Sequence, residues 1–301
     1  DPMKFLSEAL RGAIWAPDGR RLYCADYSAI EARVLLWLAG DDAGLDVFRR
    51  GEDIYLDMAS TIYGREITRE NSAARQLGKQ AILGLGFGMG FVKYLITCRG
   101  YGMHFTTKLI HEIVPAGWYQ ATARWIREEA WKTMVLRMIP DATEALIPEL
   151  TLMKYIVDKY RERFQLVRAG WYDVERAAMC AVNDPGKLYH SMRTAWRYDK
   201  TWFPALRCRL PSGRLLWYPF PEVRIVKTDR DREPSPKLTY MTVDARTYQW
   251  VRVGTYGGKI AENITQATAR DIMADAMLRL DRGGMYDLVL SVHDEIVCET
   301  D

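Results

Sequence analysis

The apolar positions change period early in the chain. Leu22 to Ala25 is a brief apolar run, which predicts a short buried strand. From Ile30 the apolar residues fall at Ile30, Val34, Leu35 and Leu38, the stripe of an amphipathic helix. Asp26 stands at the junction. A carboxylate at the end of a buried strand is costly unless a cation, a hydrogen-bond donor or an open cleft receives it. Ser28 and Glu31 also fit the S-x-x-E capping box, in which Glu31 only reaches back to a backbone N–H.

Further along, Ile54, Met58 and Ile62 sit four apart and predict a helix within Gly51 to Gly64, before a polar break from Ile67 to Asn71. Ser72 to Phe87 predicts a second helix, on which Arg75, Lys79, Leu83 and Phe87 form one stripe. Gly84, Gly86 and Gly88 weaken its end, each interior Gly costing roughly 1 kcal/mol relative to Ala, or they let backbone approach closely. Two cations followed by an aromatic suit a polyanion that carries a planar group. A solvated basic face is the plainer alternative. Phe91 to about Glu175 is mostly helical in pattern, with long runs at Gln120 to Met138 and Leu150 to Phe164, broken by Pro140 and Pro148. Cations alternate with rings here, as in Arg124-Trp125 and Lys154-Tyr155. That is the habit of charged stems lying over a ring core more than of a phosphate track.

The last third reads as strands and one long helix. Cys208 to Tyr218 predicts a hairpin about Ser212-Gly213, Leu238 to Val253 predicts strands turning near Asp244, and Asp229 to Lys237 reads as a charged, Pro-containing loop. A helix from Lys259 to Leu280 carries the stripe Ala261, Ile264, Thr268, Ile272, Ala276 and Leu280. Its other face presents Asn263, Gln266 and Arg270, groups that can meet acceptors on base edges or sugars, or simply face water. In Leu288 to Glu299, Leu288, Leu290 and Val292 alternate, His293-Asp294 falls where a tight turn fits, and Ile296-Val297 resumes a strand.

Composition narrows the class without naming it. With 301 residues and a net charge of +3, the chain can hold a large core and more than one subdomain, and its charge alone does not argue for nucleic acid. Five widely spaced cysteines with no C-x-x-C pair fit a reducing compartment and no thiolate zinc site. The start lacks the features of a signal peptide. The most apolar window, Ala81 to Ile96, is interrupted by glycines and Lys93 and is too short to span a bilayer. The chain opens without Met, and a longer parent is expected.

Asp26 and Asp294 each end an apolar strand. If those strands are neighbours, two carboxylates meet, and a divalent cation resolves their repulsion. Magnesium takes one or two protein carboxylates and leaves positions for waters and phosphates, and a pair of such ions can serve both the attacking and the leaving oxygen. A helix bearing Arg75 and Lys79 would neutralise a phosphate tail. That set of parts describes in-line nucleotidyl transfer, where positioning and charge stabilisation do most of the catalysis.

DYSAIEARV, RQLGKQAILGLGFG and SVHDEIV resemble motifs A, B and C of the family A DNA polymerases, the bacterial DNA polymerase I family, and LPSGRLLWYP and TYGGKIAENITQATARD resemble its phage-type branch. The resemblance runs in order from about Leu10 to the end. It implies an α+β fold: an antiparallel palm sheet carrying Asp26 and Asp294, with an inserted helical fingers subdomain. The expected divisions are palm at 1–45, fingers at 46–205 including an extended helical insertion, and palm again at 206–301. By the resemblance, Asp26 and Asp294 bind two Mg²⁺ ions, for which Mn²⁺ can substitute, with the Tyr27 carbonyl as a third ligand. Glu31 rejects a ribose 2′-hydroxyl. Arg75 and Lys79 bind the triphosphate, and Lys79 protonates the departing pyrophosphate. Phe87 lies near the nascent base pair, and His293 and Glu295 flank the primer end and the metals. Gln266 and Arg270, with Asn263 beside them, meet the primer–template minor groove. Leu83 stands where the family usually has an aromatic, and Tyr55 where a His usually assists the phosphates. The implied partners are primer–template DNA and dNTPs, with no membrane, in the cytoplasm (the host's, if phage-encoded). The alternatives are a single-subunit RNA polymerase, against which Glu31 argues, and a non-catalytic fragment that binds primer–template.

Overall fold

The structure is a computed structural model and describes residues 9–226 and 234–301. It is a mixed fold of helices and three antiparallel sheets, and the chain divides into two compact units, residues 1–31 with 266–301, and residues 32–265.

The first unit is built on a three-stranded sheet. β1 (Arg21–Asp26) and β9 (Asp287–Val292) flank β10 (Glu295–Thr300), so the strand nearest the N-terminus pairs with the last of the chain. Ile296, Val297 and Cys298 of the central strand are buried. Ile296 and Cys298 pack with Met273, Leu280 and Leu288 into one apolar cluster. β1 is mostly exposed, which corrects the expectation of a buried strand. An edge strand in so small a sheet has one neighbour and little to cover it. A bulge between Val297 and Cys298 corrects a second expectation. It sets Leu288 opposite Cys298 and Leu290 opposite Val297, so the alternation slips and Leu290 and Val292 turn to the other face from Leu288.

The long helix α10 (Gly257–Gly283) contributes its residues from Gln266 onward to this unit. Ala261, Ile264 and Thr268 are buried as their stripe predicts, but Ile272 is 41 % exposed and Met273 is buried in its place. A repeat of four drifts around a helix of 3.6 residues per turn, and the later half answers to β9 and β10.

The second unit is mainly helical. Its helices are α1 (Ile30–Ala39, of which Ala32 onward belongs here), α2 (Asp42–Arg49), α3 (Ile54–Tyr63), α4 (Ser72–Leu85), α5 (Phe91–Gly100), α6 (Thr107–Ile113) and α7 (Ala116–Trp125), which runs on as a π-helical stretch over Ile126–Val135. α8 (Ile147–Arg163) and α9 (Gln165–Asn183) follow. Ile54, Met58 and Ile62 of α3 are buried, as are Val34, Leu35 and Leu38 of α1. Pro148 is in the first turn of α8, where its missing N–H costs nothing, so it opens that helix rather than breaking one. The rings of Tyr155 and Tyr160 are buried. Lys159 lies over the Tyr155 ring and Lys154 over Trp125, the arrangement of stems over rings.

Two further sheets complete this unit. One has the order β2 (Tyr189–Ser191), β3 (Thr194–Asp199), β4 (Ala205–Arg209), β5 (Leu215–Pro219); the other β6 (Glu222–Val226), β7 (Ser235–Val243), β8 (Trp250–Gly254). The hairpin about Ser212-Gly213 and the turn at Asp244 are both present. Of the expected loop Asp229 to Lys237, residues 229–233 lie outside the described residues, and Ser235 to Lys237 are strand. Pro236 fits there because β8 pairs with β7 only from Thr239 on, leaving one side of its start open. All five cysteines are free thiols. Among the described residues no helix is long and apolar enough to cross a membrane.

Candidate active site

The carboxylates come together through backbone register. In the β1–β10 pair, Asp26 stands directly opposite Glu295, and one step further the Tyr27 N–H donates to the Asp294 carbonyl at 3.1 Å. Residues from the two ends of the sequence are thus neighbours at one end of one sheet. Asp26 is exposed, and Asp294 and Glu295 are half-buried. Like charges directly opposed on an antiparallel pair are destabilising, so the facing of Asp26 and Glu295 is not in itself a source of stability. His293 and Asp294 form the two-residue turn between β9 and β10, and His293 takes φ 53°, in the left-handed region. A non-glycine residue there costs roughly 1–2 kcal/mol, and such residues cluster at functional sites.

Glu31 lies beside this sheet in sequence and shares its unit. Ala29 has φ 51°, which is not helical, so α1 begins at Ile30 and Glu31 is its second residue. The capping box needs Glu three positions after a Ser cap with helical residues between, and that spacing is not formed. Gln266 and Arg270 are exposed on α10, one turn apart. Asn263, one turn earlier and half-buried, donates from Nδ2 to the Tyr218 hydroxyl at 3.3 Å.

The cations form a second cluster, within the other unit. Arg75 and Lys79 are half-buried on α4, and both approach the ring of Tyr55 on α3, at 5.2 Å for the Arg75 Cζ and 6.0 Å for the Lys79 Nζ. Asp53 organises the cluster: its Oδ1 accepts from the Tyr55 N–H at 2.9 Å, capping α3, and its Oδ2 accepts from Arg75 Nε at 2.7 Å. The spacing of α3 and α4 depends on Gly78, where a Cβ would lie 2.1 Å from the Tyr55 carbonyl oxygen. Leu83 is 45 % exposed on the same helix. Phe87 lies past its end, since α4 stops at Leu85 and Gly88 turns the chain at φ 80°; this corrects the expected helix through Phe87.

Several of these residues were not singled out by sequence patterning. Asp53 carries the signal of an acidic residue just before a helix, which reads as a cap. Nothing local marks Gly78. Trp171 donates from Nε1 to the Gly86 carbonyl at 2.9 Å, and at Gly258 a Cβ would come within 2.2 Å of the Phe87 carbonyl oxygen. These two contacts fix the backbone that carries Phe87.

The donor set at the hairpin fits a hard divalent cation: carboxylates and backbone carbonyls from adjacent strand ends, open to water and phosphate. No group of three or more His, Cys, Asp or Glu among the described residues is gathered to hold a metal by itself.

Residues 3–97 match the family model described as DNA polymerase family A. Over 98 % of its length the chain is 33 % identical to a DNA polymerase of Bacillus phage SP02, of which it spans 38 %. It is 38 % identical over 80 residues to DNA polymerase I of Pseudomonas aeruginosa, covering 27 % of this chain and 9 % of that one. A similar solved structure is the POL domain of Pol1 from M. smegmatis in complex with DNA primer-template and dNTP, with a TM-score of 0.51 and 20 % identity over 97 % of this chain and 36 % of that one. The family match and the relatives both point to DNA polymerase family A, and the solved structure shares the fold.

Proposed function

We propose that the chain carries the nucleotidyl-transfer centre of a polymerase that extends a DNA primer from dNTPs on a template. The observation that supports this most is the register that sets Asp26 opposite Glu295, with Tyr27 bonded to Asp294. In this proposal 1–45 and 206–301 form the palm and 46–205 the fingers.

Asp26 and Asp294, with the Tyr27 carbonyl, would hold two Mg²⁺ ions, or Mn²⁺ in their place. Such ions, when bound, supply Lewis-acid activation of the primer hydroxyl and offset charge on the phosphoryl oxygens. Arg75 and Lys79 take the triphosphate, with Tyr55 beneath both and Asp53 holding the Arg75 fork. The primer 3′-hydroxyl would lose its proton to water as its oxygen bonds to the α-phosphorus, the bond from that phosphorus to the oxygen bridging the β-phosphate would break, and Lys79 would give a proton to the leaving pyrophosphate. Glu31, in the first turn of α1, excludes a ribose 2′-hydroxyl by occupying its space. Leu83 and Phe87 flank the incoming base. Gln266 and Arg270 contact the minor groove, while Asn263 is tied to Tyr218 and acts by holding α10. His293 and Glu295 flank the primer end.

The test is extension of a labelled primer by the full natural gene product with Mg²⁺, with Mn²⁺ and with chelator. Extension is expected with either metal and not with chelator. Ordinary extension by an Asp294→Ala variant would end the proposal. Primer–template binding without extension under every condition would favour a binding module instead.

A further inference from the structure

The register of β3, β4 and β5 sets Arg197, Arg207 and Trp217 directly opposite one another, a row running across three strands. Alternation assigns the buried Trp196, Cys208 and Tyr218 to the other face. The row therefore lies on the face opposite those rings, where Ala195 and Ala205 are the buried residues. Two opposed guanidinium groups destabilise a sheet, so packing does not explain them.

The row is also poorly neutralised. One carboxylate faces two cations: Asp199 Oδ2 lies 3.4 Å from Arg207 Nη1, Arg197 also acts on its charge, and its Oδ1 accepts from the Thr201 N–H at 3.0 Å and the Thr201 hydroxyl at 2.7 Å. The Arg207 Cζ sits 4.4 Å from the centroid of Trp217, and Arg207 Nε is buried with no hydrogen-bond partner. The indole is thus held by a cation yet remains 42 % exposed. Arg197 and Arg209 are exposed and take part in no ion pair among the described residues. Arg209 also lines an open cavity of about 650 Å³ with Arg193 and the Ser212-Gly213 turn, and no carboxylate is among its lining residues.

A cationic groove beside an exposed ring is the means by which proteins hold single-stranded nucleic acid without reading its sequence. A duplex would keep its bases stacked away from the ring. We propose that this face binds an unpaired DNA strand, with one base stacked on Trp217 and phosphates on Arg197 and Arg209, leading into the groove at Arg193. The proposal rests on the polymerase reading for the identity of that strand, the unpaired template, but uses none of the residues placed at the transfer centre.

Fluorescence anisotropy of labelled oligo-dT and of a blunt duplex of equal length tests it, without nucleotide or metal. The chain should prefer oligo-dT. Arg197→Ala with Arg209→Ala should weaken that binding and flatten its log–log salt slope by about 1.4, at roughly 0.7 for each phosphate that an arginine no longer neutralises on a single strand. The paired Lys variants should keep the slope. Trp217→Ala should cost roughly tenfold in affinity, and Trp217→Phe, which keeps a stacking ring and guards against a loosened sheet, should keep most of it. No measurable binding of oligo-dT, or an unchanged slope and affinity for it in the alanine variants, would overturn the proposal. Because the readout needs no chemistry, such a result leaves the transfer centre standing, and failed primer extension leaves this measurement unaffected.

Discussion

The carboxylate hairpin and the cation cluster hold their functional groups in opposite ways. At the hairpin, Asp26, Asp294 and Glu295 are placed by backbone register and a strained turn on a sheet that is largely open to water. At the cluster, Arg75 and Lys79 are placed by side chains: a ring, a shared carboxylate and a helix spacing set by one glycine. Register persists when a side chain is removed, because main-chain bonds maintain it. Side-chain scaffolding does not. Substitutions at the first site should therefore separate activity from stability, and substitutions at the second should move both.

The largest expected effect sharpens this contrast. On the proposed reading, Asp294→Ala in the full natural gene product would remove a ligand of ions that supply several kcal/mol of transition-state stabilisation, and each 1.36 kcal/mol is tenfold in rate. Primer extension should fall by roughly a thousandfold or more. The melting temperature of the chain should hold, since main-chain bonds keep the register of β1 and β10. A clear loss of stability would show that the hairpin depends on this side chain after all.

At the cluster, Gly78→Ala should act first on stability. A helix gains roughly 1 kcal/mol from Ala over Gly, but here the added carbon meets the Tyr55 carbonyl at 2.1 Å and the Ala59 nitrogen at 2.9 Å, both backbone. Overpacking against groups that cannot rotate away costs about 1–3 kcal/mol, occasionally more, so the net should be destabilising. Gly84→Ala, whose nearest neighbours are Tyr94 ring atoms at 3.4 Å, should be neutral to stabilising. Denaturant titration of the pair gives the sign directly, and equal effects would remove Gly78 from its assigned role.

How far the sequence carried each site follows from the same contrast. The elements of the hairpin were legible because a tight turn between apolar strands leaves a local trace, but the sequence offered only the condition that the strands ended by Asp26 and Asp294 be neighbours, and the structure instead pairs β1 with β10, the strand that follows Asp294, with β9 beyond it. The bulge at Val297/Cys298 was not legible, since it depends on which partner residue is skipped. The stripe of α4 was legible from its spacing of four. Its setting was not: Asp53 looks like any acidic helix cap, and Gly78 is one glycine among many until α3 is seen against it. Periodicity reports which face of an element is buried, and it does not report the distance to the neighbour.

Asp53 allows a smaller and more discriminating test. Asp53→Asn keeps an acceptor for the Tyr55 N–H and so keeps the cap, but loses the charge that holds Arg75. Asp53→Ala loses both. The ion pair is partly exposed, with Arg75 at 37 % and Asp53 at 15 %, so its own contribution to stability is closer to the value of about 0–1 kcal/mol for surface pairs than to that of a buried one. The cap is worth about 1 kcal/mol. Asp53→Asn should leave stability nearly unchanged and raise the KM for dNTPs several-fold. Asp53→Ala should show the same KM with an added stability loss of about 1 kcal/mol. Identical behaviour of the two variants in both assays would mean that Asp53 serves only the helix end.

The smallest effect lies in the turn. His293→Gly would relax a left-handed residue and recover some of the roughly 1–2 kcal/mol that such a conformation costs a residue with a Cβ, less the entropy that glycine adds to the unfolded chain, of order 0.5–1 kcal/mol. The net stabilisation should be about 1 kcal/mol or less, visible as a small rise in denaturant midpoint without a change in slope. Primer extension should fall nonetheless on the proposed reading, in which His293 flanks the primer end, because its imidazole is gone and the turn that holds Asp294 is freer. A stabilised protein with undiminished extension would show that the strain at His293 is incidental, and that the hairpin owes its geometry to register alone.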